Sequence, residues 1–292
     1  MLNFFKTLFS PITAILNFIQ TYFKSIVFIT ILIIFFGDTS TQKLQVSNLQ
    51  KIDLTGAIMS SDKIIEQINK AKKDTNIKGV LLNVNSPGGA VAPSIEIAYA
   101  IKELNALKPV VAYASGTMAS GSYYASIWAK KIIANPGSMI GSIGVIFQGA
   151  NIEELMKTLG IKAQTIKAGT YKESGTFTRA WSDVEKAELN SVIKDTYNTF
   201  ISDVANARKL NIKDHKIFAD AHIFTATQAQ KVKLIDKVAT LTYAKDQLIK
   251  LSKVKHPIWK KEDKFDKFMD KIIQKTITNF AIYFQSNLKA SI

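Results

Sequence analysis

The sequence has no cysteine and only three histidines, His215, His222 and His256, in 292 residues. Without cysteine, and without a cluster of histidines, a structural zinc site is argued against. A cysteine-free chain also fits an oxidising compartment. The scarcity of histidine bears on catalysis. None of the three lies near a glycine-flanked serine in the sequence, so a serine nucleophile would need another base. No Gly-x-x-x-x-Gly-Lys-Ser/Thr loop is present to bind a nucleotide, and no cofactor is expected. No internal repeat is visible, so a tandem two-domain form is excluded by length. Arginine is nearly absent: of 38 basic residues all but Arg179 and Arg208 are lysine, and the net charge is +15. That charge is scattered and no basic run is interleaved with aromatics. A nucleic-acid partner is therefore not expected, and a lysine-rich surface facing anionic lipid fits the same composition.

What is present is apolar. Hydrophobic residues make up 47% of the chain, enough for one sizeable domain with attachments. Ser25 to Phe36 is an uncharged apolar run. Extended back through Ile15 to Phe23 it reaches the length a bilayer demands, about 20 residues, with Lys24 left to snorkel. A cleaved secretory signal is the rival reading, but no Ala-x-Ala site follows Phe36. The expectation is an N-terminal segment, 1–40, carrying an uncleaved transmembrane anchor at about 16–36. Lys6 and Lys24 precede the run and Asp38 follows it. That bias agrees with an inside N-terminus and an extracytoplasmic domain. At the other end, 256–292, residues Phe265, Phe268, Met269, Ile272, Ile273, Ile277, Phe280 and Phe284 recur at helical spacing. This predicts an amphipathic C-terminal helix, with its own domain, a neighbouring subunit or a membrane surface as possible beds.

Between these ends, 41–255 reads as one domain. The pattern predicts strands at 51–58, 79–84, 109–115, 131–134, 143–147 and 162–167. It predicts helices at 61–73, 93–107, 120–129, 151–158 and 182–210. Strands alternating with helices of this length indicate an α/β fold with a largely parallel sheet.

Three segments could carry chemistry. Ser120, in Ala119-Ser120-Gly121-Ser122-Tyr123-Tyr124, follows an apolar run and precedes helix formers. Strand, tight turn and helix would put it at a helix tip, where unpaired N–H groups favour negative charge. The same position suits an ordinary N-cap serine, and the residue alone does not decide between them. Asn85-Ser86-Pro87-Gly88-Gly89 follows the apolar Gly79–Val84. Its glycines can bring bare backbone to a ligand as an oxyanion hole, or form an ordinary β-to-α turn. Lys167 to Gly175 holds Lys172 among small residues. A lysine works as a base only when neutral, and burial must then lower an ordinary value near 10.4 by roughly three units, on the order of 4 kcal/mol. Among so many lysines the pattern alone cannot select Lys172. Ser191-Val-Ile-Lys194 has Ser-x-x-Lys spacing, but inside a polar helical stretch where such spacing arises by chance.

Together these segments resemble the signal peptide peptidase A family, membrane-anchored bacterial proteases, in the short single-domain form. The resemblance rests on Asn85–Gly89, Met118–Tyr124, Ala134–Gly137 running into Gly141-Ser142-Ile-Gly-Val145, Gly169-Thr-Tyr-Lys172 and, more weakly, Leu234–Val238. It implies a Ser–Lys dyad protease on the crotonase-like fold shared with the Clp protease subunit. By that resemblance Ser120 is the nucleophile, Lys172 the general base, and Ser142 a hydrogen-bond partner that orients the lysine. Gly88 or Gly89, with Gly121, would form the oxyanion hole. It also implies peptide substrates such as remnant signal peptides, a bilayer anchor, and a homo-oligomeric ring in which serine and lysine can come from different subunits. Two departures stand out: Ser122 replaces a usual glycine, and Ser174–Arg179 lacks a proline often found before the arginine. A crotonase-type acyl-CoA enzyme, or a non-catalytic membrane scaffold of the same fold, are the alternatives.

Overall fold

The computed structural model describes residues 17–32 and 46–261. Two compact units divide the chain, one holding residues 1–45 and 261–292, the other Val46–Lys260. In the first, residues 17–32 form helix α1, whose apolar side chains, Phe18, Phe23, Phe28 and Ile29 among them, are exposed. The expected anchor at 16–36 thus lies partly outside the described residues. Among the described residues, no helix is long and apolar enough to cross a membrane. The expected C-terminal helix, beyond residue 261, also lies outside them.

The second unit is built on seven strands. They are β1 (Leu49–Thr55), β2 (Gly79–Ser86), β3 (Val110–Ala119), β4 (Lys131–Ala134), β5 (Met139–Gly141), β6 (Ile223–Thr225) and β7 (Lys237–Val238). The order β1-β2-β3-β4-β7 is parallel throughout; β5 also pairs parallel with β3, and only β5 with β6 is antiparallel. The largely parallel sheet read from the sequence is present.

Helices α2 (Asp62–Lys73), α3 (Val91–Leu107), α4 (Gly121–Ser126) and α6 (Asp183–Arg208) contribute to the larger core. Val80, Leu82 and Val84 of β2 turn into it, while Leu81 turns to the other face, onto Ala244 and Leu248 of α9 (Leu241–Ser252). A parallel strand buried on both faces has to be apolar at consecutive positions, which is why Gly79–Val84 shows no alternation. Truncating a fully buried side chain here, such as Ile101, costs about 2–5 kcal/mol. The remaining helices, α5 (Glu153–Thr158), α7 (His215–Phe218) and α8 (Ala226–Lys231), are short.

Two expected strands are not strands. The segment 143–147 has no regular structure: Gly141 and Ser142 both take positive φ, 105° and 49°, which turns the chain off the sheet. Ile143 is apolar because it is buried, not because it pairs. The segment 162–167 is exposed and irregular, with no partner strand among the described residues. The last residues of the unit close on its first strand. Asn48 and Leu49 donate to the Ile258 carbonyl at 2.8 and 3.1 Å, and Lys260 N–H donates to Leu49 at 2.7 Å.

Candidate active site

Strand β3 is forked. Its first half pairs with β4 (Val111–Ala114) and its second with β5 (Thr117–Ala119). Ser120 follows at once and α4 begins with Gly121. The serine has φ 52° and ψ −125°, a backbone region that glycine ordinarily occupies. Two bonds hold it there: Ser120 N–H donates to Gly141 at 2.8 Å, and its carbonyl accepts from Tyr124 N–H at 3.0 Å. A serine on a strained strand-to-helix turn projects its hydroxyl from the sheet's end, the geometry of a nucleophile elbow. Its side chain makes no capping bond, so the N-cap reading does not describe it. With α4 only six residues long, local N–H groups rather than a macrodipole define the electrostatics.

The glycine turn is packed against this elbow. Gly88 has φ 93°, and a methyl group on it would lie 2.6 Å from Gly121 nitrogen and 2.9 Å from Ser120 Cβ. A methyl on Gly89 would meet the Ile58 carbonyl oxygen at 2.2 Å. Ile58 straps the turn, donating to Gly88 and accepting from Ala90 at 2.9 and 2.8 Å. Gly88 N–H is bound to Ser86 Oγ at 3.2 Å, whereas the N–H groups of Gly89 and Gly121 have no acceptor among the described residues. Ser142 follows Gly141, the residue paired with Ala119, and its N–H donates to His222 at 2.7 Å. Ser120, Gly88, Gly89, Gly121 and Ser142 are therefore gathered at one end of the sheet.

A cleft opens beside Ser120, walled by Val91, Ile95, Tyr124, Val145 and Phe200, with Ser94, Thr196 and Thr199 between them. Every hydroxyl on this wall is engaged elsewhere. Ser94 donates to Ala90 at 2.8 Å, Thr196 to Val192 at 2.9 Å and Thr199 to Asp195 at 3.2 Å; Tyr124 donates to Asp203 in a very short bond. Burial, with the Asp203 carboxylate, pushes the Tyr124 phenol well above its ordinary value. The Tyr124 and Phe200 rings pack edge to face at 4.6 Å. The cleft thus presents methyls and ring faces. Its α6 wall escaped the sequence reading, although Thr196, Thr199 and Phe200 fall at helical i, i+3, i+4 spacing.

Lys172 lies elsewhere. It is exposed, does not line the cleft, and its side chain makes no hydrogen bond or ion pair among the described residues. It sits on an arm, 144–181, whose apolar residues Ile146, Leu159, Ile161 and Ile166 face outward. The arm's root is an ionic knot. Arg179 binds both oxygens of Glu185 at 2.7 and 2.9 Å and also Glu173 at 2.9 Å; Lys167 reaches Glu173 at 2.7 Å. Glu185 closes a capping box on Ser182 at the start of α6. Bonds from Lys167, Arg179 and Thr165 hold the Glu173 carboxyl down to about 2, and Arg179 with Ser182 does the same for Glu185. Among the described residues no group of three His, Asp or Glu side chains is placed to hold a metal.

The model of peptidase family S49 matches residues 102–255, more than half of the chain, and that of the Clp protease matches residues 41–140. The chain belongs to peptidase family S49. Both matched stretches contain Ser120, and the Clp-protease-like α/β domain agrees with the sheet described above. A protease-named protein of Methanocaldococcus jannaschii is 42% identical over 66% of this chain and 62% of its own length. One of Synechocystis is 37% identical over 69% of this chain and 72% of its own. A protein of Enterococcus faecium named for signal peptide peptidase SppA is 34% identical over 65% and 55%. The chain thus spans between about half and three quarters of the length of these relatives.

Proposed function

We propose that the protein is a membrane-anchored serine endopeptidase in which Ser120 attacks the peptide carbonyl and Lys172 of a neighbouring copy is the general base. The observation that carries this reading is Ser120 at φ 52° beside the unengaged N–H groups of Gly89 and Gly121. Family membership supports hydrolysis of peptides. A neutral lysine amine takes the Ser120 proton as the C–O bond forms. The two glycine N–H groups hold the oxyanion. The protonated amine then donates to the leaving nitrogen as the C–N bond breaks, and water, activated by the same amine, releases the acyl group.

Supply of Lys172 in trans is supported by its exposure on an arm with uncovered apolar side chains. Burial of that arm in a homo-oligomeric ring would desolvate the amine, and Ser142 would orient it. The apolar cleft favours an apolar side chain next to the scissile bond. Together with the name of the Enterococcus relative, this makes remnant signal peptides the proposed substrate class. The apolar run at 16–36 supports anchoring in the bacterial cytoplasmic membrane with the domain extracytoplasmic.

The test is hydrolysis of a fluorogenic apolar peptide by the full chain, with a fluorophosphonate probe for Ser120. Activity and labelling are expected, both lost in Ser120→Ala. A folded wild-type chain that neither cleaves nor labels would overturn the reading.

A further inference from the structure

The ladder between β2 and β3 breaks just below the site. Val84 pairs with Ala114 and Ser86 with Met118, so one residue of β2, Asn85, faces three of β3, Ser115 to Thr117. Such a bulge leaves the intervening residues without ladder partners. Side chains cross the gap instead. Ser115 Oγ donates to the Val84 carbonyl at 3.2 Å, and Asn85 Oδ1 accepts from Thr117 N–H at 3.0 Å. The third crossing comes from Ser122. Its hydroxyl donates to the Ser86 carbonyl at 2.6 Å, lies 2.9 Å from the Ala119 carbonyl, and accepts from Ala119 N–H at 2.9 Å. Ser122 is wholly buried.

One oxygen thus joins the end of β2, the end of β3 and the first turn of α4. The connection continues to the glycine turn, because Ser86 Oγ in turn accepts from Gly88 N–H. Ser120 lies between two of the joined elements, and Gly88–Gly89 hang from the third. We infer that Ser122 is a positioning residue: its hydroxyl fixes the distance between Ser120 and the Gly89 N–H, and so the fit of the oxyanion. Removing a buried hydroxyl that bonds both a strand-end N–H and a strand-end carbonyl takes away one side-chain tie across the bulge and leaves only the ladder and the other two crossings to hold the two strand ends. Its nearest consequence is at the reaction centre rather than in binding, since Ser122 does not line the cleft.

This inference rests on the peptidase reading above. The experiment compares wild type with Ser122→Ala and Ser122→Cys, with Ser138→Ala as control. Ser138 is an equally buried serine, bonded to the Ala114 carbonyl at 2.9 Å, away from the cleft. Steady-state peptide hydrolysis, the fluorophosphonate labelling rate and thermal melting are measured on each. Ser122→Ala should lower kcat about 10- to 100-fold with KM changed less than about twofold, the scale set by a misaligned oxyanion donor. Labelling should slow in parallel, because the probe also places an oxygen at that point. Ser122→Cys keeps a small side chain in the site, somewhat larger than serine's, but hydrogen-bonds weakly. It should fold even if Ser122→Ala does not, and it should show the same loss of kcat. Ser138→Ala should lose melting temperature but not kcat. Wild-type kcat in a folded Ser122→Cys, or a loss carried by KM alone, would overturn the assignment while leaving the peptidase reading intact. A wild-type chain without activity or label would overturn the reading itself, and the assignment with it.

Discussion

Gly89 and Gly121 approach closely at the elbow: a methyl group built on Gly121 would lie 3.3 Å from Gly89 nitrogen. Two main-chain donors from separate loops converge beside Ser120, and neither is committed to another acceptor among the described residues. Such a pair is available to an oxyanion without any rearrangement.

Substitution at two glycines separates sterics from strain. A methyl on Gly121 would collide chiefly with the side chain of Ser94, 2.2 Å from its Oγ, with a lesser crowding of Gly89 nitrogen at 3.3 Å, and Gly121 has no positive φ. Gly121→Ala should lower kcat/KM about 10²-fold, the scale of a lost oxyanion donor, and Ser94→Gly in the same chain should recover part of it. Gly88→Ala combines φ 93° with a clash against backbone and should have no such rescue. Peptide kinetics on the single and double variants check this. Equal rescue of both would contradict it.

Lys172 gives a sharper result in mixtures than alone. Ser120→Ala and Lys172→Ala should each be inactive and folded. Co-assembled from unfolded or co-expressed chains, they should regain a fraction of wild-type hydrolysis, because some sites combine an intact serine with an intact lysine from the next copy. Complete inactivity of a demonstrably mixed oligomer would place both groups in one subunit.

The knot at the arm's root is sensitive to acid. The Glu173 and Glu185 carboxyls are held at about 2, below the ordinary carboxylate value of about 4.3. Their contribution is fully present above that ordinary value and is lost as pH falls from there toward 2. Protection from hydrogen exchange across 144–181, measured relative to the intrinsic rate at each pH, should therefore be greater near pH 6 and be lost below pH 4, ahead of the strands. Glu185→Gln should reproduce the acid behaviour at pH 6, since a neutral amide cannot anchor Arg179 bidentately. Exchange unchanged in that variant would remove the knot's role.

The cleft makes a prediction about selectivity. Phe200 is buried and packs edge-on against Tyr124 at 4.6 Å. Phe200→Ala should cost about 3 kcal/mol in urea unfolding and shift preference toward bulkier apolar side chains. Thr199→Val should leave selectivity unchanged, because the threonine hydroxyl already points back to Asp195. A peptide library profiled with both variants distinguishes them.

Much of the domain was legible because parallel strands announce themselves. Gly79–Leu82 and Val110–Ala114 are apolar without alternation, and the helix expected from 182 begins there, as α6 capped by Ser182. The short strands were not legible. Three residues in β5 and β6 and two in β7 carry no periodicity, and only their neighbours define them. The apolar run after Ser142 misled because burial of Ile143 looks like a strand in one dimension. At the site, Ser120 and the glycine turn could be read from their neighbours in sequence. The Ser122 bonds could not, since Ser86 is 36 residues away. Nor could the tie from Tyr124 to Asp203, which depends on α6 returning across α4.

The pairing of Asn48 and Leu49 with Ile258 has a mechanical consequence. Both chain ends leave the domain at the corner where β1 starts, while Ser120 stands at the opposite rim of the same sheet. At about 3.3 Å per residue, the length of β3 sets these points roughly 25–30 Å apart. Tension on either end would be borne first by the short main-chain bonds at that corner. The rim bearing the Ser120 hydroxyl lies the full length of a strand away from that corner.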